Sequence, residues 1–334
     1  MRVGLRMGLM QDPSRPAWHQ PGPRPIVWAA WYPTLDTAAQ RPMRVGGTGE
    51  PWLDLGPVAL NAPLAERDTP FPVAVLSHGT GGCGLDLGWL GRRLAQRGFV
   101  VLAANHHGNT SAEALRPEGF LCWWERAADV SVLLDGITSE RGFGGRLDLE
   151  RVLVCGFSLG GHTALALLGA TTDLDRYRAW AADGPFSRGP SNFPDLAAHL
   201  PALLKGSATF RASWARSGAD YHDPRVAAAL LMAPAPPVRA FSEAELAGIT
   251  APVHIVSGGA DPEAPVEVGA EWLAQHLPRC RLDVLVPEGG HLMFLPEATE
   301  AGKRMAPDLC CDAPGVERAE VHDATCEAAA RLFA

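Results

Sequence analysis

The sequence predicts an α/β protein with a mostly parallel central sheet and helices on both faces. From residue 71 to the C-terminus, short apolar runs alternate with segments whose apolar residues recur at helical spacing. That alternation is typical of parallel strands joined by crossover helices. The apolar run at 152–155 also leads directly into an Ala- and Leu-rich segment at 159–168, as a buried strand leads into a helix. We therefore expect a single α/β domain over residues 1–334.

The individual elements are predicted from short-range patterns. Apolar and β-branched runs predict strands, and apolar residues three or four positions apart predict helices. Residues 33–70 contain too many prolines and glycines for a long helix. The predicted strands are 3–10, 26–32, 72–76, 99–103, 152–155, 226–232, 253–257 and 282–286. The predicted helices are one that contains Leu87, Leu90 and Leu94 and ends at Gly98, then 123–137, 159–168, 266–277 and about 319–332.

One strand-to-helix connection carries a catalytic pattern. Residues 156–160 read Gly-Phe-Ser-Leu-Gly, which matches Gly-x-Ser-x-Gly in the context that this motif requires. So sharp a reversal strains the backbone of Ser158 and leaves no space for side chains at Gly156 and Gly160. The hydroxyl would then lie at the end of the strand, beside the free N–H groups that begin the helix. The alternative is a glycine-rich turn whose serine only caps the helix.

A nucleophilic serine needs a base, and the base needs a carboxylate that orients it. Asp261 follows the predicted strand at 253–257, and His291 follows the one at 282–286. This gives the order serine, acid, histidine at the carboxyl ends of parallel strands, where ligands bind in such sheets. The other candidates lie within strands, flank better-placed residues or lack suitable spacing: Asp283, Glu263, Glu288, Cys155, His254, His162, His19, His199, His222, His276 and His322.

Acyl transfer also needs donors for the oxyanion that forms in the transition state. The backbone N–H of Leu159, directly after the serine, is the first candidate. The second is the N–H of Thr80, in the His-Gly-Thr-Gly-Gly loop that follows the strand at 72–76. Standing alone, this loop could be a plain turn. Together with the serine, the acid and the histidine, it supports an oxyanion hole.

An insertion of about residues 171–223 interrupts the strand–helix alternation. It is rich in aromatic residues and prolines and has only weak helical periodicity. One interpretation is a lid over the serine that provides an apolar wall for an acyl group. The other is that the aromatic residues only bury the insertion against the sheet, and both can hold together.

Composition limits the partners and the location. The formal net charge is −8 without a long basic run, which argues against nucleic acid, and no apolar segment is long enough for stable membrane insertion. Residues 1–10 lack the apolar core of a signal peptide. Seven cysteines without zinc-like spacing favour a reducing, cytoplasmic environment, unless a leader before Met1 directed secretion or periplasmic export. A disulfide at Cys310 or Cys311 stays open.

These motifs together resemble an α/β-hydrolase of the group that includes platelet-activating-factor acetylhydrolase-like and dienelactone-hydrolase-like serine esterases. The resemblance covers nearly the whole chain: Trp-Tyr-Pro at 31–33, the His78-Gly79 loop, residues 106–110, the serine motif, the Asp261 loop, His291 and Cys-Asp-Ala-Pro-Gly at 311–315. His107 and residues 292–294 depart from the pattern of that group, and the insertion matches it poorly. The resemblance implies the α/β-hydrolase fold and an acyl-enzyme mechanism with neither cofactor nor metal.

The resulting hypothesis is a serine hydrolase that cleaves carboxylic esters, with Ser158, Asp261 and His291 as catalytic triad and Thr80 and Leu159 as oxyanion hole. The expected substrate is a small ester with an apolar acyl or aromatic part. Two alternatives stay open: the same triad acting on amides, lactones or polyesters, and a non-catalytic receptor or scaffold with this fold. The sequence does not determine the natural substrate or the oligomeric state.

Overall fold

The predicted sheet is present in the computed structural model, which describes residues 1–47, 49–182 and 184–333. Within these ranges the sheet has 11 strands. These are β1 (Arg2–Pro16), β2 (Pro23–Thr34), β3 (Arg41–Val45), β4 (Leu53–Leu60), β5 (Phe71–Ser77), β6 (Val100–Asn105), β7 (Leu147–Phe157), β8 (Val226–Met232), β9 (Val253–Gly258), β10 (Cys280–Val286) and β11 (Glu297–Ala298).

The strands follow the spatial order β10-β9-β8-β7-β5-β6-β2-β1-β4-β11, and β3 pairs with β4. Neighbouring strands from β10 through β6 are all parallel. β2 is antiparallel to both β6 and β1. The loops after β5, β7, β9 and β10 therefore leave the sheet at one common edge.

Among the residues that the structure describes, twelve α-helices connect or flank these strands. They are α1 (Gly88–Gln96), α2 (Pro117–Leu121), α3 (Glu125–Gly136), α4 (Leu159–Leu167), α5 (Leu174–Ala181), α6 (Leu196–Gly206), α7 (Ala208–Trp214), α8 (Glu243–Gly248), α9 (Ala270–His276), α10 (Glu300–Met305), α11 (Pro307–Cys310) and α12 (Arg318–Arg331). None of the described helices is long and apolar enough to cross a membrane.

Helices cover both faces of the sheet, because the strands of its centre are apolar on both sides. On β5, Val73 and Val75 belong to a core cluster that also contains the inner faces of α3, α4 and α9. Ala74 and Leu76 of the same strand belong to the cluster on the opposite face, beneath α1 and α12. The two-residue alternation of side chains along a strand thus separates two hydrophobic cores.

Several boundaries differ from those expected from sequence. The stretch at 33–70 contributes β3 and β4, which extend the sheet beyond β1; this pairing is made with distant residues that local periodicity does not report. The helix expected at 266–277 starts only at Ala270. The short helices α2, α8, α10 and α11 lie below the length at which periodicity is informative.

The insertion contains the helices α5, α6 and α7. Phe193, Phe210, Trp214 and Tyr221 of the insertion enter a third apolar cluster, formed with Trp18 and residues 115–124. The ring of Phe193 lies 4.8 Å from that of Phe120, and Trp214 lies 5.5 Å from Trp124. Phe210 is fully buried in the same cluster, so the insertion is attached through its own aromatic core.

Candidate active site

The connection between β7 and α4 holds Ser158 in a strained conformation. Its φ of 54° and ψ of −117° lie in a region that residues with a side chain rarely adopt. A Cβ at Gly156 would lie 2.0 Å from the carbonyl oxygen of Gly160, and a Cβ at Gly160 would lie 2.0 Å from that of Ser77. The turn therefore requires glycine on both sides of the serine, as its motif predicts.

Ser158, Asp261 and His291 are brought together at the carboxyl edge of the sheet. Nε2 of His291 lies 2.9 Å from Oγ of Ser158, and Nδ1 of the same ring lies 2.7 Å from a carboxylate oxygen of Asp261. All three side chains are buried. Residues from three separate strand ends thus form one continuous hydrogen-bonded chain.

The loop after β9 fixes the orientation of Asp261. Its second carboxylate oxygen accepts hydrogen bonds from the backbone N–H groups of Glu263 and Ala264, at 2.9 and 2.8 Å. The first oxygen remains for His291. Since a carboxylate accepts from Nδ1–H, the neutral imidazole has its lone pair on Nε2, facing the serine hydroxyl.

The two predicted oxyanion donors are not engaged by other acceptors. Within the described residues, the N–H groups of Thr80 and Leu159 donate to no protein atom. Gly79 lies against the serine, since a Cβ on it would be 3.2 Å from Cβ of Ser158. The adjoining N–H of Gly81 donates to the side-chain oxygen of Asn109 at 2.6 Å, which attaches this loop to the one after β6.

A buried charged network lies behind this edge of the sheet. Asp129 of α3 accepts from Arg24 at 2.7 Å and from Arg15 at 2.8 Å, and Nδ1 of His106 lies 3.1 Å from its other oxygen. Burial raises the pKa of the Asp129 carboxyl, but the two arginines and His106 outweigh burial and hold that pKa well below its usual range. Nε2 of His106 in turn lies 2.9 Å from Oγ of Ser77, the last residue of β5.

Sequence reasoning missed this network. It treated Asp129 as lying off the apolar stripe of the helix at 123–137, whereas Asp129 and Arg126 of α3 are both fully buried. The available signal was a basic and an acidic residue, Arg126 and Asp129, three positions apart on one predicted helix. The partners of Asp129, Arg15 and Arg24, are more than 100 residues away in sequence.

The competing histidines and cysteines have other surroundings. His254 pairs with Asp283 on the neighbouring strand, with 2.8 Å between Nε2 and the carboxylate. His162 lies 3.0 Å from the Thr172 hydroxyl and stacks on Phe241. Burial raises the pKa of the Cys155 thiol far above its usual range. All seven cysteines, Cys310 and Cys311 included, are free thiols, so the disulfide left open by the sequence is not formed.

The insertion reaches the same edge of the sheet. A Cβ on Gly81 would lie 3.0 Å from the side-chain oxygen of Asn192, which places the insertion beside the Thr80 loop. At the start of α4, His162 lies 6.1 Å from the Trp123 ring, which in turn lies 5.3 Å from Tyr177 of α5. One part of the insertion therefore lies beside the Thr80 loop, and another lies near the start of α4 with Trp123 between them.

A cavity of about 540 Å³ lies away from the serine and is not lined by Ser158, Asp261 or His291. Its lining includes Arg44, Trp89, Arg92 and Arg93. Among residues 1–47, 49–182 and 184–333, no group of three or more His, Cys, Asp or Glu side chains has an arrangement that could hold a metal ion.

This fold, with a serine in a strand-to-helix turn beside a histidine and a carboxylate, is that of a hydrolase. A model of the alpha/beta hydrolase family matches residues 74–303, more than half of the chain, and the chain belongs to that family. Among solved structures, it is similar to a ferulic acid esterase from Streptomyces cinnamoneus, at 19% sequence identity and a TM-score of 0.60. The match covers 99% of this chain and 89% of the esterase, and at this identity it shows the shared fold.

Proposed function

We propose that the protein is a serine esterase that hydrolyses carboxylic esters through an acyl-enzyme intermediate. The observation that carries the proposal is the chain from the Ser158 hydroxyl through His291 to Asp261, with distances of 2.9 and 2.7 Å. In this chain the imidazole can accept the serine proton, and the carboxylate stabilises the imidazolium that forms.

In the proposed mechanism, Oγ of Ser158 attacks the ester carbonyl while Nε2 of His291 takes its proton. The histidine then transfers that proton to the leaving alcohol, and the acyl group remains on the serine. A water molecule, activated by the same nitrogen, hydrolyses the acyl-enzyme. Asp261 keeps the ring in the required tautomer throughout, and its two bonds from backbone N–H groups hold it in place.

The N–H groups of Thr80 and Leu159 are proposed to stabilise the negative oxygen of both tetrahedral intermediates. Two observations support this role: Gly79 lies close to Ser158, and within the described residues neither N–H group has another acceptor. Leu159 also begins α4, where the helix dipole favours negative charge.

The substrate class is proposed from the surroundings of the serine. The aromatic residues Trp123 and Tyr177 and the proximity of Asn192 to the Thr80 loop suit an insertion that acts as a lid and contacts an apolar or aromatic acyl group. The structural likeness to an esterase of ferulic acid favours aromatic acyl groups among the first substrates to test. The sequence motifs further support placement near the platelet-activating-factor acetylhydrolase-like and dienelactone-hydrolase-like esterases.

The proposal is tested with p-nitrophenyl esters from acetyl upward and with methyl ferulate, using the wild type and Ser158→Ala. We expect wild-type turnover and a loss on the order of 10⁶-fold in kcat for the variant, with an unchanged melting temperature. Ser257→Ala, which removes another buried hydroxyl, should retain activity. A fluorophosphonate probe should label the wild type and leave Ser158→Ala unlabelled.

The outcomes separate the alternatives. Ester hydrolysis that survives in Ser158→Ala would refute the assignment of the nucleophile. Labelling of Ser158 without turnover of any ester would move the substrate to amides, lactones or polyesters. Neither labelling nor turnover in the wild type would favour a non-catalytic role.

A further inference from the structure

Arg126 is a buried cation directly behind the loop that follows β5. It lies in the first turn of α3 and is only 1% exposed. Nη2 of its guanidinium donates to the carbonyl oxygen of His78 at 2.6 Å and to that of Gly79 at 3.3 Å. A side chain 47 and 48 positions away in sequence thus holds two consecutive carbonyl groups of the loop that contains Thr80.

The ring of His78 provides a second hydrogen-bond donor to the carbonyl group of Gly79. Its Nε2 accepts from the backbone N–H of His106 at 3.3 Å. Burial, together with Arg126 and His106, lowers the pKa of His78 well below its usual range, so its ring is neutral. With Nε2 accepting, the ring proton is on Nδ1, which donates to the Gly79 oxygen at 2.7 Å. Nη2 of Arg126 lies 3.1 Å from this Nδ1, and both groups donate to the Gly79 oxygen.

Holding the Gly79 carbonyl also fixes the N–H of Thr80, because both belong to one peptide unit. That peptide bond is trans, and in a trans peptide the C=O and N–H groups point in opposite directions. With the oxygen directed at Arg126 and His78, the Thr80 N–H points to the opposite side. Rotation of the peptide would break both hydrogen bonds and turn the N–H away.

The charge of Arg126 is not neutralised by a direct ion pair. Among the described residues no carboxylate lies within salt-bridge distance of it, and its Nε and Nη1 atoms are buried without a hydrogen-bond partner. Burial lowers the pKa of its guanidinium, and the nearby Asp129, itself held by Arg15 and Arg24, opposes that effect. Replacement by a well-packed apolar residue would avoid this desolvation cost, so stability alone does not account for the arginine.

We propose that Arg126 is a positioning residue, which holds the Gly79–Thr80 peptide with its N–H on the side of Ser158 and strengthens that N–H as an oxyanion donor. The inference rests on the esterase function proposed above. A cation on the carbonyl side polarises the peptide, and in a site with little water this effect adds to the stabilisation of the transition state. The ground-state ester carries no negative oxygen and gains little from it.

The test compares Arg126→Gln with the wild type on the p-nitrophenyl ester that the wild type cleaves fastest. We expect kcat to fall roughly 10- to 100-fold, less than for direct loss of an oxyanion donor, with KM within about two-fold. Phenylboronic acid, which forms a tetrahedral anionic adduct with an active serine, should bind more weakly by a similar factor. Arg126→Lys keeps the charge and one donor and should be intermediate in both measurements.

Arg318→Gln is the control, because Arg318 is also buried and donates to two backbone carbonyl groups, those of Pro296 and Leu309; unlike Arg126, it also pairs with a carboxylate, that of Asp312. It should lower the melting temperature without a selective loss of kcat or of boronate affinity. If Arg126→Gln folds and keeps both values, the inference is wrong. If that variant does not fold, wild-type kcat and boronate affinity in Arg126→Lys would overturn it.

The wild type and Ser158→Ala, measured side by side, distinguish the two proposals. Without serine-dependent hydrolysis in the wild type, the esterase function and the role of Arg126 fail together. If the wild type shows serine-dependent hydrolysis and Arg126→Gln keeps the wild-type kcat and boronate affinity, only the role of Arg126 is refuted.

Discussion

Two histidine–carboxylate pairs of nearly equal geometry differ in what they face: one joins β9 to β10, and the other joins the segments that follow these strands. His291 and Asp261 are 2.7 Å apart and continue to the Ser158 hydroxyl, whereas His254 and Asp283 are 2.8 Å apart without such a continuation. At the scale of single residues, the position of the pair relative to the serine thus distinguishes a proposed catalytic pair from a structural one.

Asp261→Asn and Asp283→Asn provide a matched comparison of these pairs. Asp261→Asn should lower kcat on the order of 10⁴-fold, because an amide nitrogen facing Nδ1 favours the wrong tautomer of the base. Asp283→Asn should keep kcat within about two-fold. Ester hydrolysis by both purified variants measures the difference. Equal losses would show that the carboxylate acts through stability rather than through His291.

At the scale of elements, the strand-to-helix turn depends on the close approach of three backbone segments. Gly156 faces the carbonyl oxygen of Gly160, and Gly160 faces that of Ser77 at the end of β5. The end of β5 therefore excludes a side chain at Gly160, just as the backbone of the turn excludes one at Gly156. An added methyl group would meet backbone atoms, which cannot rotate away as a side chain can.

Gly160→Ala should destabilise the fold by about 3 kcal/mol and displace Ser158 from His291, with a large loss of activity. Gly248→Ala is the control: Gly248 ends α8, and a Cβ there would have nothing within 4 Å, so stability should change by less than about 1 kcal/mol. Urea unfolding and fluorophosphonate labelling measure both effects. Wild-type labelling in Gly160→Ala would contradict the geometry of the turn.

At the scale of the whole molecule, buried histidines couple stability to pH. Burial lowers the pKa of His106, His162 and His322 to about 3 each. In the unfolded chain they bind protons below about pH 6.5, whereas in the folded protein they do not until about pH 3. The unfolded state therefore binds more protons between these values, and stability falls as the pH decreases through this window.

The expected loss is roughly 1 kcal/mol per pH unit for each of these histidines below pH 6.5. Asp129 adds nothing to this loss of stability until the pH approaches the pKa of an ordinary aspartate, because the pKa of Asp129 in the folded protein is depressed. Urea unfolding at pH 7 and pH 5 measures the slope. His322→Gln, whose amide can still donate to the Leu295 carbonyl that His322 contacts, should reduce the slope. Equal stability of the wild type at both pH values would contradict this account.

The sequence by itself determined the alternation of strands and helices, the strand-to-helix turn and the positions of Ser158, Asp261 and His291 at strand ends. These features follow from patterns within a few residues: apolar periodicity, glycine spacing and the end of an apolar run. Because the carboxyl ends of parallel strands lie at one edge of the sheet, placing Ser158, Asp261 and His291 at strand ends also predicted that they would meet.

Only the tertiary structure decided which polar residues are buried and where the insertion lies. Arg15 contacts Asp129 across 114 positions of the sequence, and Arg126 contacts His78 across 48. The pairing of β4 with β1 and the aromatic contacts of the insertion likewise join distant segments. Local patterns report which residues prefer burial, whereas a buried charge is stable only with partners that the folded chain supplies.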